Sequence, residues 1–239
     1  MLINLLKLTV FSENKSTKQS EFDILTAKRL SLPVFEFHQR AIRCLDVVVA
    51  ILALVILAPL ILGIAIAIAG SGTGPVLFKQ ERVGRGGSYF VCLKFRTMRI
   101  GADKILEDLL SSCPTTKAEW EQNQKLLKDP RTSFIGKFLR KTSMDEIPQF
   151  INVLAGEMSI VGPRPIVADE AERYGRYIED YCSVRPGITG LWQVSGRNLT
   201  SYRRRIACDV VFSKSSSPAT HIRIIAATIP VVLFGRGAY

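Results

Sequence analysis

Two adjacent carboxylates and the cations around them are the residues of this sequence best placed to do chemistry together. Asp145 and Glu146 sit in the stretch Lys141-Thr142-Ser143-Met144-Asp145-Glu146-Ile147-Pro148-Gln149-Phe150, directly after Arg140, and Arg164 follows between Pro163 and Pro165. A carboxylate can attack phosphorus to form an acyl phosphate. Neighbouring guanidinium groups can hold the non-bridging oxygens in bidentate fashion. A second carboxylate suits Mg2+, which takes oxygen ligands and completes its shell with substrate phosphates and water. An Asp-Glu pair alone is also the ordinary start of a solvated helix, so the surrounding cations carry the phosphate-handling reading.

These residues need elements to position them. Ile147, Phe150, Ile151 and Leu154 fall at i, i+3, i+4 and i+7, one face of a helix that Gly156 is placed to end. Ser143 and Glu146 have the spacing of a capping box, while Pro148 defers regular helix to about Ile147. Either start leaves the dyad at a helix N-terminus, where exposed N–H groups favour anions. Upstream, Val76-Leu77-Phe78 and Tyr89 to Phe95 read as strands, with Gly84-Arg85-Gly86-Gly87 as the turn between them. Neither this cluster nor Gly70 to Pro75 has the spacing of a phosphate-binding P-loop or a dinucleotide fingerprint. Lys94 and Arg96 flank Phe95, so on an extended segment they share a face and could both meet an anion. Glu107 to Lys128 reads as a partly helical, solvent-facing excursion with no chemistry of its own.

From Val47 to Ala69 the chain runs 23 residues without a formal charge. As a straight helix this would reach about 35 Å, enough for a hydrocarbon core. Pro59 near its middle removes a helix hydrogen bond, and both flanks are basic, with Arg40 and Arg43 before and Lys79, Arg82 and Arg85 after. A re-entrant hairpin satisfies both facts; a bitopic span kinked at proline is the other reading. Arg43 and Asp46 are expected to form an interfacial ion pair. Met1 to Pro33 carries no cleavable signal pattern, and Ser12 to Glu21 reads as a flexible tail. Ile224 to Phe234 is an uncharged run too short to span, suited to the interface or to packing on the domain. Tyr202-Arg203-Arg204-Arg205 reads as a solvated helix end or a lipid-headgroup contact.

Composition narrows the class. The 239 residues carry a formal net charge of +11, which points to nucleic acid, an anionic membrane or phosphorylated substrates. No recognition helix, zinc spacing or aromatic-rich RNA motif is present, so no nucleic-acid partner is expected. Five scattered cysteines indicate reduced thiols in a cytosol-facing protein, and His38 and His221 are too few for a histidine-based metal or triad site. A non-catalytic basic membrane scaffold or regulator would account for the apolar segment and its basic rim. It would not account for Asp145 and Glu146 among arginines.

Several words of the sequence recur in a known order: Gly74-Pro75-Val76 with Phe78 and Gln80, Lys94-Phe95-Arg96-Thr97-Met98, and Leu139-Arg140-Lys141-Thr142-Ser143 leading into the dyad. Val161-Gly162-Pro163-Arg164-Pro165, Arg185-Pro186-Gly187-Ile188-Thr189-Gly190, Trp192-Gln193-Val194 and Gly196-Arg197 complete them. From about Arg43 to Tyr239 the chain resembles the bacterial sugar transferase family, the polyprenyl-phosphate hexose-1-phosphate transferases or monotopic phosphoglycosyl transferases. The resemblance implies an α+β fold: a tail over 1–36, a re-entrant membrane helix broken at Pro59 over 37–70, and a cytosolic catalytic domain with interfacial helices over 71–239. It implies that a UDP-sugar and undecaprenyl phosphate give undecaprenyl-diphosphate-sugar and UMP, with Mg2+, at the cytoplasmic face of the bacterial inner membrane. Asp145 would be the nucleophile and Glu146 a Mg2+ ligand, with Lys94, Arg140, Arg164 and Arg197 around the phosphates or nucleotide. Membrane lipids and downstream glycosyltransferases are the further partners implied. Gly237-Ala238-Tyr239 and the length look most like the branch that primes exopolysaccharide synthesis with galactose or glucose. Glu157 departs from the Asp usual in the family's Gly-Asp-Met-Ser word.

Overall fold

The computed structural model describes residues 33–72, 74–113, 115–117, 120, 126, 129–196 and 201–233. Most of the expected tail, and Arg197, lie outside these residues. Helix α1 (Pro33–Gly70) begins with a proline, which suits a first helical position because its missing N–H has no intrahelical use. It therefore already includes 33–36, assigned above to the tail. Pro59 lies inside this one continuous helix and does not divide it into two elements.

Both ends of α1 rest on the same body of protein. Near its start, Arg43 donates to the carbonyls of Val153 and Leu154, the latter at 2.8 Å. Asp46, fully buried, accepts from Ser159 Oγ and Ile160 N, each at 2.9 Å. The expected Arg43–Asp46 pair is thus not formed. Orphan carbonyls at a helix C-terminus attract the guanidinium, and a buried carboxylate needs donors of its own. Near the other end, Ile64 and Ile68 are buried in a cluster with Phe95, Leu139 and Ile147. Between the ends, Val55 and Ile56 are 68% and 72% exposed. By length and composition α1 could cross a membrane.

The expected hairpin is present. Strands β1 (Leu77–Val83) and β2 (Tyr89–Phe95) pair antiparallel, Phe78 opposite Lys94 and Val83 opposite Tyr89, through a turn in which Gly86 and Gly87 take positive φ. Helix α2 (Ala102–Ser112) opens the excursion, and Arg131 lies over the ring of Trp120 at its far side. Helix α3 (Phe134–Thr142) starts at Ser133, whose Oγ accepts from Gly136 N at 2.9 Å. A Cβ on Gly136 would fall 2.0 Å from the Thr97 carbonyl oxygen, so only glycine lets α3 lie this close to the segment after β2.

Helix α4 (Gln149–Ala155) ends at Gly156 with φ 84°, as the spacing predicts. Its buried positions include the polar Gln149 and Asn152, while Ile151 is exposed, so the apolar periodicity identifies the helix but misses part of its inner face. Asn152 accepts from Leu93 N and donates to Val91 O and to Glu157 Oε2. It thereby satisfies the free edge of β2, which would otherwise be open to unwanted pairing. Strands β3 (Ser159–Val161) and β4 (Gly187–Thr189) pair in parallel. Around them lie α5 (Ala168–Tyr174), α6 (Ile178–Cys182), α7 (Leu191–Val194), α8 (Tyr202–Ser215) and α9 (Pro218–Leu233). The result is a mixed fold with one long apolar helix. In α9, Ile224 packs in the core while Ile222 and Ile229 stay exposed, so the short apolar run has one face on the domain and one uncovered. Arg205, read above as part of a solvated helix end or a lipid-headgroup contact, lies over the ring of Trp192. All five cysteines are free.

One buried acid has a measurable consequence. Asp209 on α8 accepts from Tyr174 Oη at 2.8 Å through Oδ2, while Oδ1 has no hydrogen-bond partner among the described residues. Burial pushes its carboxyl up to about 7, against the opposing pull of the Tyr174 hydrogen bond and Arg205. The folded protein then binds this proton more tightly than the unfolded chain. The associated stability is present at acid pH and is lost as pH rises from about 4 through about 7, at about 1.4 kcal/mol per unit of pKa difference. Thermal unfolding in neutral detergent should show the midpoint of the native protein falling between pH 5 and pH 8, with a clearly flatter profile for Asp209→Asn. Parallel profiles would refute this assignment.

Candidate functional site

The dyad occupies a short 3-10 turn, Met144–Glu146, between α3 and α4. Ser143 closes α3 in the left-handed region with φ 58° and donates its backbone N–H to Arg140 O. Its side chain makes no capping bond into the turn, so the capping box is not formed. Glu146 turns instead toward two cations. Its Oε1 receives Lys94 Nζ at 2.7 Å from β2 and Arg164 Nη1 at 2.9 Å from the loop after β3.

This clamp separates the two carboxyls. Burial alone would push Glu146 up, but Arg164 and Lys94 outweigh it and hold the group down at about 2. Asp145 moves the other way: burial and the neighbouring Glu146 charge raise it, against Lys94, Arg164 and Arg140. Among the described residues, no side-chain hydrogen bond or salt bridge ends on Asp145. Adjacent carboxyls whose surroundings shift them in opposite directions are suited to different tasks. Glu146 is a fixed anion ordering two cations, and Asp145 is a largely desolvated carboxylate with its oxygens uncommitted.

Arg140, the third predicted cation, stands on the Asp145 side. It donates through Nε to Thr97 Oγ1 at 3.0 Å and through Nη1 to Thr132 Oγ1 at 3.4 Å. Behind it Asp129 grips Arg131 through two bonds of 2.8 and 2.7 Å. Lys94, Arg140, Arg164, Asp145 and Glu146 are therefore brought together from four separate segments. Arg96 is not among them. It donates to Pro75 O at 2.8 Å and lies over the Phe78 ring, so the face it was expected to share with Lys94 is not maintained past the end of β2.

Arg82 is the residue whose role the sequence did not reveal. It donates to Pro165 O at 2.9 Å and to Gln80 Oε1 at 2.6 Å, and its other terminal contact is Glu170 at 3.6 Å. It fixes the loop that carries Arg164. Counted above as a cation flanking the membrane segment, Arg82 is directed inward. Its alternation with Gln80 on one strand face was the available signal.

The sequence pattern that defines the bacterial sugar transferases matches residues 37–235 of this chain. The chain belongs to the bacterial sugar transferase family. Among curated relatives, the transferase is 48% identical over 197 residues to an uncharacterized sugar transferase of Haemophilus influenzae, covering 82% of this chain and 42% of that protein. It is 45% identical to the exopolysaccharide production protein ExoY of Sinorhizobium fredii, over 82% of this chain and 87% of that one. It is also 45% identical to the undecaprenyl-phosphate galactose phosphotransferase of Salmonella typhimurium, over 82% of this chain and 41% of that protein. The transferase thus spans about two fifths of the Haemophilus and Salmonella proteins but most of ExoY.

Proposed function

We propose that this transferase moves a sugar-1-phosphate, galactose or glucose favoured, from a UDP-sugar to undecaprenyl phosphate and releases UMP, as the first membrane step of exopolysaccharide synthesis. The observation that carries the reading is the split dyad: Glu146 held by Lys94 and Arg164, Asp145 uncommitted beside it. The names of the similar proteins, a galactose phosphotransferase acting on undecaprenyl phosphate and an exopolysaccharide production protein, support it.

An oxygen of Asp145 attacks the phosphorus that bears the sugar. The bond from that phosphorus to the UMP oxygen breaks, and UMP departs with the electron pair. The phosphate oxygen of undecaprenyl phosphate then attacks the same phosphorus, and Asp145 leaves as a carboxylate. Charge that builds on the phosphoryl oxygens faces Arg164, Lys94 and Arg140, which are already in place before reaction. The residues fit Mg2+: Glu146, the expected ligand, meets Lys94 and Arg164 through Oε1 and retains its Oε2, and a carboxylate plus substrate phosphates is a usual set for this ion. Bound there, Mg2+ would neutralise phosphate charge. Arg197 remains a proposed nucleotide contact.

The same reading places the protein at the cytoplasmic face of the bacterial inner membrane, with α1 re-entrant. Two ends packed on one body and an uncovered apolar middle support this topology over a crossing. A cysteine at Arg40, in a Cys44→Ser background, should react with an impermeant maleimide only after spheroplasts are opened. Added labelling in intact spheroplasts excludes re-entry. The activity itself is tested by UMP release from a panel of UDP-sugars with undecaprenyl phosphate and Mg2+. A membrane-bound protein that releases UMP from none of them would be the scaffold considered above.

A further inference from the structure

A second cluster of cations lies at the other end of β2 from the dyad. Lys94 reaches Glu146, whereas Tyr89 and Phe90 line a cavity of about 420 Å3 between the β1–β2 turn and the end of α4. At about 3.3 Å per residue, some 16 Å of strand separates the two places. Arg85 and Arg185 both line this cavity, and Arg43 stands just behind Gly156.

Capping of α4 explains part of the cluster. Arg43 holds the carbonyls of Val153 and Leu154, and Arg185 donates Nε to Gly156 O at 2.8 Å. Carbonyls at a helix C-terminus attract cations. Arg85 has no such employment. Half-buried, it makes no side-chain hydrogen bond or salt bridge among the described residues, and it feels the charge of Arg185 at close quarters. The one acid lining the cavity, Glu157, has its Oε2 on the Asn152 amide and is paired to neither arginine. Two like charges brought together in a partly desolvated cavity are unfavourable unless an anion joins them. Arg85's fork and the terminal nitrogens of Arg185 are the donor set that phosphate oxygens match.

We propose that this cavity is a second anion site that takes a phosphate group, separate from the reacting phosphates at the dyad. Arg43 stands four residues before the uncharged run of α1 begins, so the cavity lies at the foot of the membrane helix. A headgroup of an anionic lipid and a free phosphate share the required chemistry, and the experiment separates them.

The full-length protein in neutral detergent is titrated calorimetrically, in separate runs, with short-chain phosphatidylglycerol and with inorganic phosphate. Arg85→Gln should lose one bound titrant per chain, or weaken it by about tenfold or more. UMP release in zwitterionic lipid should stay at the native rate. Loss confined to phosphatidylglycerol assigns a lipid headgroup; loss of inorganic phosphate as well assigns any accessible phosphate. Arg85→Lys keeps the charge without the fork, gives a second and less perturbing variant, and should fall between the two. Native binding of both titrants by both variants overturns the site. So does a parallel loss of UMP release by a folded Arg85→Gln protein, because the cavity would then belong to the dyad.

Discussion

Asp145→Asn is expected to reduce UMP release by about a thousandfold or more while leaving the thermal midpoint unchanged or slightly raised. The amide keeps the shape of the side chain but is not a nucleophile toward phosphorus. Nothing in the clamp depends on the Asp145 charge, because Lys94 and Arg164 both close on Glu146. Removing Asp145's charge also relieves repulsion against Glu146. Glu146→Gln should behave differently. Lys94 and Glu146 side chains are only 17% and 15% exposed, so neutralising the acid leaves cations poorly solvated and without their anion. Breaking one partner of a buried pair costs about 3–5 kcal/mol, an upper bound here because Arg164 is partly exposed. Activity and stability therefore fall together in Glu146→Gln and separate in Asp145→Asn. With UDP-sugar and no lipid acceptor, the native protein should release one UMP per chain in a burst, and Asp145→Asn none. Turnover of Asp145→Asn at the native rate would remove Asp145 from the reaction.

The clustered carboxylates and cations were legible because their types are rare in combination. Adjacent acids next to Arg140 and Lys141, with Arg164 between prolines, stand out against the chain around them. Strand β2, the glycine turn before it, α4 and its terminating Gly156 were legible for a related reason: their signals are local, lying in periodicity and in glycine. Of β1 only Leu77 and Phe78 were read as strand, because the polar and charged residues from Lys79 to Arg82 carry no apolar signal.

What stayed hidden depends on pairings between distant segments. Arg82 reads as one more cation after an apolar run until the fold places it under Pro165. Asn152 looks like a surface residue of a helix, yet it supplies the hydrogen bonds for the edge of β2. Ser143 has the spacing of a helix cap, but Lys94 and Arg164 compete for Glu146 and win, since charge-assisted bonds are stronger than a neutral capping bond. Arg43 and Asp46 are neighbours on one helix turn, and each finds a better partner on the domain. For Ser143 with Glu146 and for Arg43 with Asp46, local spacing suggested a partner and a tertiary contact supplied a stronger one.

The other large effect is expected at a backbone contact that involves no charged side chain. In Gly187→Ala the new Cβ would lie 2.0 Å from Gly162 N and 2.6 Å from Gly162 Cα. Both are backbone atoms of the neighbouring strand segment, so no flexible side chain can yield. The contact is held on each side by hydrogen bonds of 2.8 Å, Gly162 N to Thr189 O and Gly187 N to Pro163 O. Moving the segments apart strains or breaks these bonds and shifts Pro163, which is joined directly to Arg164. Overpacking against fixed backbone should cost about 3 kcal/mol, the upper part of the usual range, lowering the thermal midpoint by about 10 °C in a chain of this size. UMP release should also fall at temperatures where the variant remains folded, because Arg164 no longer meets Glu146 and the phosphates in its native position. Gly63→Ala is the matched control: it lies in α1 with nothing within 4 Å of the added Cβ, and alanine favours the helix. If Gly187→Ala unfolds at the native temperature, the two segments are not held at this separation. The positioning of Arg164 would then have to come from Arg82 and the flanking prolines alone.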